Sequence, residues 1–138
     1  MNATLNPYLT FDGNAAEAMR FYHSILGGEL TMQTFGEAKM AQSPAEEDRI
    51  VHAALKSDAF SLMASDGQLG RRMKFGDNIS MSLTGRNRKK LIEVFGKLSK
   101  GGKVDMPLAK QFWGDTFGML TDRFGIHWMV NIESRAQG

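Results

Sequence analysis

The chain has 138 residues, 42% of them apolar, no cysteine and a formal net charge of only +2. This length suggests one domain or two small fused modules, and the lack of cysteine excludes disulfides, a thiol nucleophile and a cysteine-ligated zinc site. The small charge excess argues against nucleic-acid binding, and without a long apolar run or a signal-peptide pattern we expect a cytoplasmic protein that does not bind membranes.

The first 66 residues show the pattern of a strand, a helix and three further strands. Alternating apolar and polar residues indicate the strands, and an apolar stripe at helical spacing indicates the helix. Asn14 holds the N-cap position with Glu17 three residues on, which predicts a capping box. The predicted elements are a strand over 4–12, a helix over 15–26, a strand over 29–35, a loop with a short helix after Pro44, and a hairpin over 49–66.

The same order returns after a predicted linker over residues 67–77. Phe21 lies six residues before Gly27-Gly28 and Phe95 lies six residues before Gly101-Gly102, so the halves repeat with an offset of 74 residues (95 − 21). The second module, residues 78–138, is predicted to hold a strand over 78–85, a helix over 86–102, a strand over 103–109 and a hairpin turning at 123–125. The basic stretches 70–75 and 85–90 are interpreted as a solvated loop and a solvated helix start.

Each module alone would leave one face of its sheet without a helix. Two modules side by side can curl these bare faces into a concave trough. We therefore predict an α+β fold: one structural domain in which two βαβββ modules, 1–66 and 78–138, form a U-shaped mixed sheet around a trough.

Strand alternation assigns side chains to the core or to the trough. Leu5, Ile79 and Trp128 are predicted core residues. Trp113 and Asp115, in the first arm of the last hairpin, are candidates for the wall and mouth of the pocket. The other predicted trough residues are Tyr8, Thr10, His52, Ser61, Met63, Ser65, Ser80, Ser82, His127, Met129 and Asn131. The wet face of an open sheet and a homodimer seam stay open as alternatives.

Three segments resemble the PhnB-like proteins of the vicinal-oxygen-chelate superfamily, which includes glyoxalase I, extradiol dioxygenases and fosfomycin-resistance proteins. They are PYLTFDGNAAEAMRFYHSILGGEL, HAALKSDAFSLMASD and MPLAKQFWGDTFGMLTDRFGIHWMVN. The likeness spans nearly the whole chain. It implies paired βαβββ modules, a homodimer, and a divalent metal held by His and Glu side chains from both modules.

The sequence departs from the superfamily at the positions that the resemblance assigns to the metal ligands. These positions are about Asn6, residues 61–63, Ser80 and Met129, and none is His, Asp or Glu. Hydroxyl, amide and thioether groups are poor ligands for a catalytic divalent metal. We therefore expect no cofactor, while a divalent metal with His52 as a ligand is left open.

Two functions are weighed, and the sequence leaves open whether the protein is an enzyme. The first is a small-molecule binding protein that holds a polar or anionic ligand in the trough. The alternative is a metal-dependent lyase, isomerase or dioxygenase with a rearranged ligand set that includes His52 and His127 or Asp115. A structural or interaction role is a third. PhnB-like proteins carry a generic methyltransferase label. The sequence gives it little support, because it shows no glycine-rich strand-to-helix turn for a nucleotide cofactor.

Overall fold

The computed structural model describes residues 2–70 and 73–134. Arg71 and Arg72, which belong to the predicted solvated loop, lie outside these residues. The first module holds β1 (Tyr8–Thr10), α1 (Ala15–Leu26), β2 (Glu29–Thr34), a 3₁₀ turn (Pro44–Glu46), β3 (Ile50–Lys56) and β4 (Ser61–Ser65). The second holds β5 (Met81–Gly85), α2 (Arg88–Ser99), β6 (Lys103–Lys110), β7 (Thr116–Thr121) and β8 (His127–Ile132). The predicted α+β fold of two βαβββ modules is confirmed.

The chain divides into two compact units, Met1–Lys74 and Phe75–Gly138, and their boundary lies within the stretch predicted as a linker. Each unit has one four-stranded mixed sheet, with the orders β1-β4-β3-β2 and β5-β8-β7-β6. In both sheets the first strand pairs in parallel with the last, and the other pairs are antiparallel. The internal repeat is therefore a repeat of topology.

Each sheet packs one face on the helix of its own module. In the first unit Met19 and Tyr22 of α1 are fully buried, as is Leu55 of β3. In the second unit Trp128 and Val130 of β8 are buried as predicted, at 3% and 0% exposure. No helix of the described chain is both long and apolar enough to cross a membrane.

Two predicted core residues are exposed. Leu5 is 98% exposed and Ile79 is 78% exposed, so their assignment beneath the helices is wrong. The alternation of apolar and polar residues begins in the sequence before the first paired residue of each strand. Pairing of β1 begins only at Tyr8 and pairing of β5 begins only at Met81, so the earlier residues have no neighbouring strand that would hold them under the helix.

The N-terminus of α1 is held by Asp66, which follows β4. The Asn14 side chain makes no cap hydrogen bond, so its predicted capping role is wrong. Asp66 Oδ1 accepts from the N–H groups of Gly13 at 2.8 Å and Ala15 at 2.9 Å, and Oδ2 accepts from the N–H of Ile50 at 2.8 Å. One buried carboxylate thus joins the helix to the start of β3.

A second buried carboxylate, Asp122, organises the hairpin between β7 and β8. Its Oδ1 accepts from the N–H groups of Phe124 at 2.8 Å and Ile126 at 3.1 Å, and its Oδ2 accepts from Nε1 of Trp128 at 2.9 Å. These bonds explain why the turn combines an acidic residue with a tryptophan six positions later.

Candidate functional site

The open face of each sheet, opposite its helix, carries most of the predicted ligand-binding residues. In the first unit these are Tyr8 and Thr10 of β1, His52 of β3, and Ser61 and Met63 of β4. Tyr8 pairs with Met63, and His52 pairs with Gln33 of β2. The structure therefore groups the five residues on one face of one sheet, as predicted.

Tyr8 and His52 form a polar pair on this face. Tyr8 Oη lies 3.0 Å from His52 Nδ1, and the ring centroids are 5.7 Å apart. His52 is exposed and Tyr8 is 49% exposed. A phenol and an imidazole can each donate or accept a hydrogen bond, so together they can recognise a polar ligand.

The open face of the second unit has a row of thioethers. Ser82 pairs with Met129, Met129 with Met119, and Met119 with Met106 across all four strands. Such flexible, polarizable side chains adapt to the apolar part of a ligand. Ser80, predicted on this face, precedes β5 and is half-buried.

His127, at the first position of β8, contacts groups that we did not predict. Its Nδ1 lies 2.9 Å from Thr121 Oγ1, and its Nε2 lies 3.1 Å from the carbonyl oxygen of Gly76. Thr121 Oγ1 in turn donates to Asp105 Oδ2 at 2.7 Å. The predicted hairpin turn would have identified Thr121 as a neighbour of His127, whereas no local pattern indicates Asp105.

Asp115, just before β7, is buried and fixed by hydrogen bonds. It accepts from Asn131 Nδ2 at 3.0 Å and from the N–H of Ser134 at 2.9 Å. The bond from Asn131, then that from Ser134, lowers the pKa of this carboxyl below its usual value, against the opposite effect of burial. Trp113 also donates to it and acts in the same direction. Asp115 is therefore an anion that other groups already bind.

Asp115 and His127 do not lie together. The partner of Asp115, Asn131, is four residues from His127 along β8, a separation of about 13 Å in a strand. This spacing does not favour a metal site that uses both residues.

Trp113 lies in the turn between β6 and β7 and is 42% exposed. Its ring stands at 86° to Phe112, with centroids 4.9 Å apart, and at 62° to Phe117, with centroids 6.1 Å apart. Phe117 pairs with Asn131, so Trp113 borders the open face of the second sheet. Its role as a pocket wall stays a prediction.

The donor groups do not fit the metal that the superfamily resemblance implies. The superfamily positions offer an amide at Asn6, a hydroxyl at Ser80 and a thioether at Met129, and His52 has a tyrosine beside it. Within residues 2–70 and 73–134, no three His, Asp or Glu side chains are grouped so that they could hold a metal ion. A catalytic zinc needs about three such ligands.

A family model described as 3-demethylubiquinone-9 3-methyltransferase matches residues 3–131. The chain belongs to this family. This chain is 32% identical to Protein YjdN of Escherichia coli strain K12, over 93% of its own length and 94% of YjdN.

Solved structures agree with the family assignment. Protein PA1353 from Pseudomonas aeruginosa superposes with a TM-score of 0.84 and 42% identity, covering 96% of this chain and 98% of PA1353. A PhnB protein from Bacillus cereus superposes with a TM-score of 0.81 and 26% identity, covering 95% and 100% of the two chains. The predicted PhnB-like family is thus confirmed, and the chain has a glyoxalase-like fold.

Proposed function

We propose that this family member is a small-molecule binding protein whose ligand contacts the open faces of its sheets without a bound metal. The exposed Tyr8–His52 pair is the observation that carries the proposal. Its partners in the neighbouring strands, Met63 and Gln33, are uncharged. A few polar groups on a mainly uncharged surface are typical of sites that bind small molecules.

The trough that both sheets would line remains part of this proposal. In it, Thr10, Ser61 and Ser82 supply hydroxyl groups for a polar ligand, and Met63 and Met129 contact its apolar part. The second function considered, a metal-dependent lyase, isomerase or dioxygenase, is not favoured by the hydroxyl and thioether donors at the superfamily positions. Methyl transfer, which the family description names, is a reaction to assay on any ligand found.

We expect that a library of small polar metabolites, screened by thermal shift and calorimetry, will yield a ligand that binds equally well with and without a chelator. Tyr8→Phe and His52→Ala should each weaken its binding about tenfold, because each removes a hydrogen-bonding group from the pair. His23→Ala is the matched control, since His23 lies on α1 and bonds the Gly28 carbonyl oxygen at 3.1 Å.

Either of two results would contradict this proposal. One is a ligand whose binding neither Tyr8→Phe nor His52→Ala changes. The other is binding that a chelator abolishes and a divalent ion restores, which would favour the metal-dependent enzyme instead.

We also propose that the protein is a cytoplasmic homodimer. The sequence without cysteine suits a reducing compartment, which cell fractionation tests. Large apolar side chains stand exposed, with Leu5 at 98%, Phe112 at 96% and Ile79 at 78%, and a second copy could cover them. Light scattering should give twice the 15.3 kDa mass of one chain. A single monomeric species over a wide concentration range would be inconsistent with the dimer.

A further inference from the structure

The second unit contains a cavity of about 900 Å³ beside the N-terminal end of α2. The ends of β6 and β8 and the start of β7 complete its wall, through Lys110, Ile132 and Thr116. Ile132 and Thr116 are buried on the side of the sheet that faces the helix. The cavity is therefore separate from the open face that carries His127 and Met129.

The lining of this cavity is strongly cationic. Four cationic side chains, Arg86, Arg88, Lys89 and Lys110, line it together with one carboxylate, that of Glu133. The local excess of three positive charges exceeds the formal charge of +2 for the whole chain. In the described part of the chain none of these five residues forms an ion pair, because the salt bridges there join other residues.

One of the cations is held in place. Arg88 Nη1 donates to Oγ1 of the buried Thr116 at 3.1 Å, and its other N–H groups make no hydrogen bond to any described residue. A fixed guanidinium with free donors suits an oxyanion, because its planar fork matches two oxygens of a phosphate or carboxylate.

In the first unit, a carboxylate of the chain itself lies at the N-terminal end of the helix, the place that corresponds to the cavity beside α2. There the Asp66 carboxylate accepts from the N–H of Ala15, the first residue of α1. Because β4 and β8 pair in the same register with β1 and β5, Ile132 holds the position that corresponds to Asp66. Ile132 offers no acceptor, and the N–H of Arg88, the first residue of α2, has no hydrogen bond to the residues described.

The charges on α2 strengthen this contrast. Its first turn contains no acidic residue, whereas that of α1 contains Glu17. Cations at the N-terminal end of a helix oppose the helix dipole, which favours negative charge there. An anion in the cavity would offset both the dipole and the repulsion among the four cations.

We propose that this cavity binds a small multivalent oxyanion, of the class of phosphate monoesters and pyrophosphates. The volume is within the range of small-molecule sites, and three excess positive charges suit a ligand with two or three negative charges. The site belongs to the second unit alone and does not depend on the ligand proposed for the open faces.

The test is calorimetric titration of the full chain with inorganic pyrophosphate in metal-free buffer at low salt. We expect one site per chain, and an affinity that falls as salt is raised because screening weakens charge pairing. Arg86→Gln and Lys110→Gln should each lower the affinity about fivefold or more, the order expected for the loss of one charged contact. Lys100→Gln, which removes a cation beyond the other end of α2, should change it less than about twofold.

Tyr8→Phe is a further control, because it should leave pyrophosphate binding unchanged while weakening the ligand of the open face. If Arg86→Gln or Lys110→Gln lowers the melting temperature, Lys89→Gln takes its place. The proposal is wrong if about 10 mM pyrophosphate produces no binding, since one good charged contact gives measurable affinity below that concentration. Equal losses in Lys100→Gln, or tighter binding of a short DNA oligonucleotide, would also overturn it.

Discussion

Replacing Asp66 with alanine should lower the free energy of unfolding by about 3–5 kcal/mol, the cost of leaving several buried N–H groups without an acceptor. The carboxylate is 4% exposed and accepts from the N–H groups of Gly13, Ala15 and Ile50. Water cannot easily reach the N–H groups of the buried Ala15 and Ile50 once the carboxylate is gone. A lower urea midpoint with an unchanged slope, followed by circular dichroism, would measure the loss.

Asp12→Ala is the matched control for this substitution. Asp12 lies 2.8 Å from Arg49 Nη2, but its side chain is 63% exposed. Exposed ion pairs contribute about 1 kcal/mol or less, so this variant should stay close to the parent. If Asp66→Ala were as stable as Asp12→Ala, the carboxylate would not be what joins α1 to β3.

Gly102→Ala should destabilise the second unit by about 3 kcal/mol, the upper range for overpacking a rigid site. A Cβ at this position would overlap the carbonyl oxygen of Thr121 and lie 2.8 Å and 2.9 Å from the carbonyl carbon and Cα of Asp122. All three atoms belong to the backbone of the turn that Asp122 organises, so no side chain can rotate away. Urea unfolding measures the effect.

Gly96→Ala, also in the second unit, should change the free energy of unfolding in the opposite direction. A Cβ at Gly96 meets no atom within 4 Å, and the residue lies inside α2. Alanine there should stabilise the protein by about 0.5–1 kcal/mol, because it lowers the entropy lost when the helix forms. Equal effects of the two substitutions would show that the backbone contact at Gly102 is not what excludes a side chain.

The sequence predicted the fold well because the fold repeats. The glycine pairs after both helices have the same spacing from Phe21 and Phe95, and at the second residue of each pair a Cβ would crowd backbone. The core of β8 followed from alternation alone. The predictions failed at Leu5 and Ile79, because a sequence pattern does not show where the neighbouring strand ends.

The site was predictable only in part. The open faces follow from strand alternation, so Tyr8 and His52 were assigned to the same face. The helix-capping role of Asp66 was not predicted, because it depends on Gly13 and Ala15 coming close to the end of β4. The basic stretch 85–90 was interpreted as a solvated helix start, and residues 86–89 line a cavity because the ends of β6 and β8 and the start of β7 lie beside them.

The contacts of His127 have a consequence for its hydrogens. The Gly76 carbonyl oxygen can only accept, so Nε2 must carry a hydrogen to bond it. Thr121 has a single hydroxyl hydrogen, so it can donate to only one of Asp105 and Nδ1 at a time. The open face of the second sheet therefore carries a relay of hydrogen bonds from Asp105 on β6, through Thr121 and His127, to the backbone at Gly76 ahead of β5.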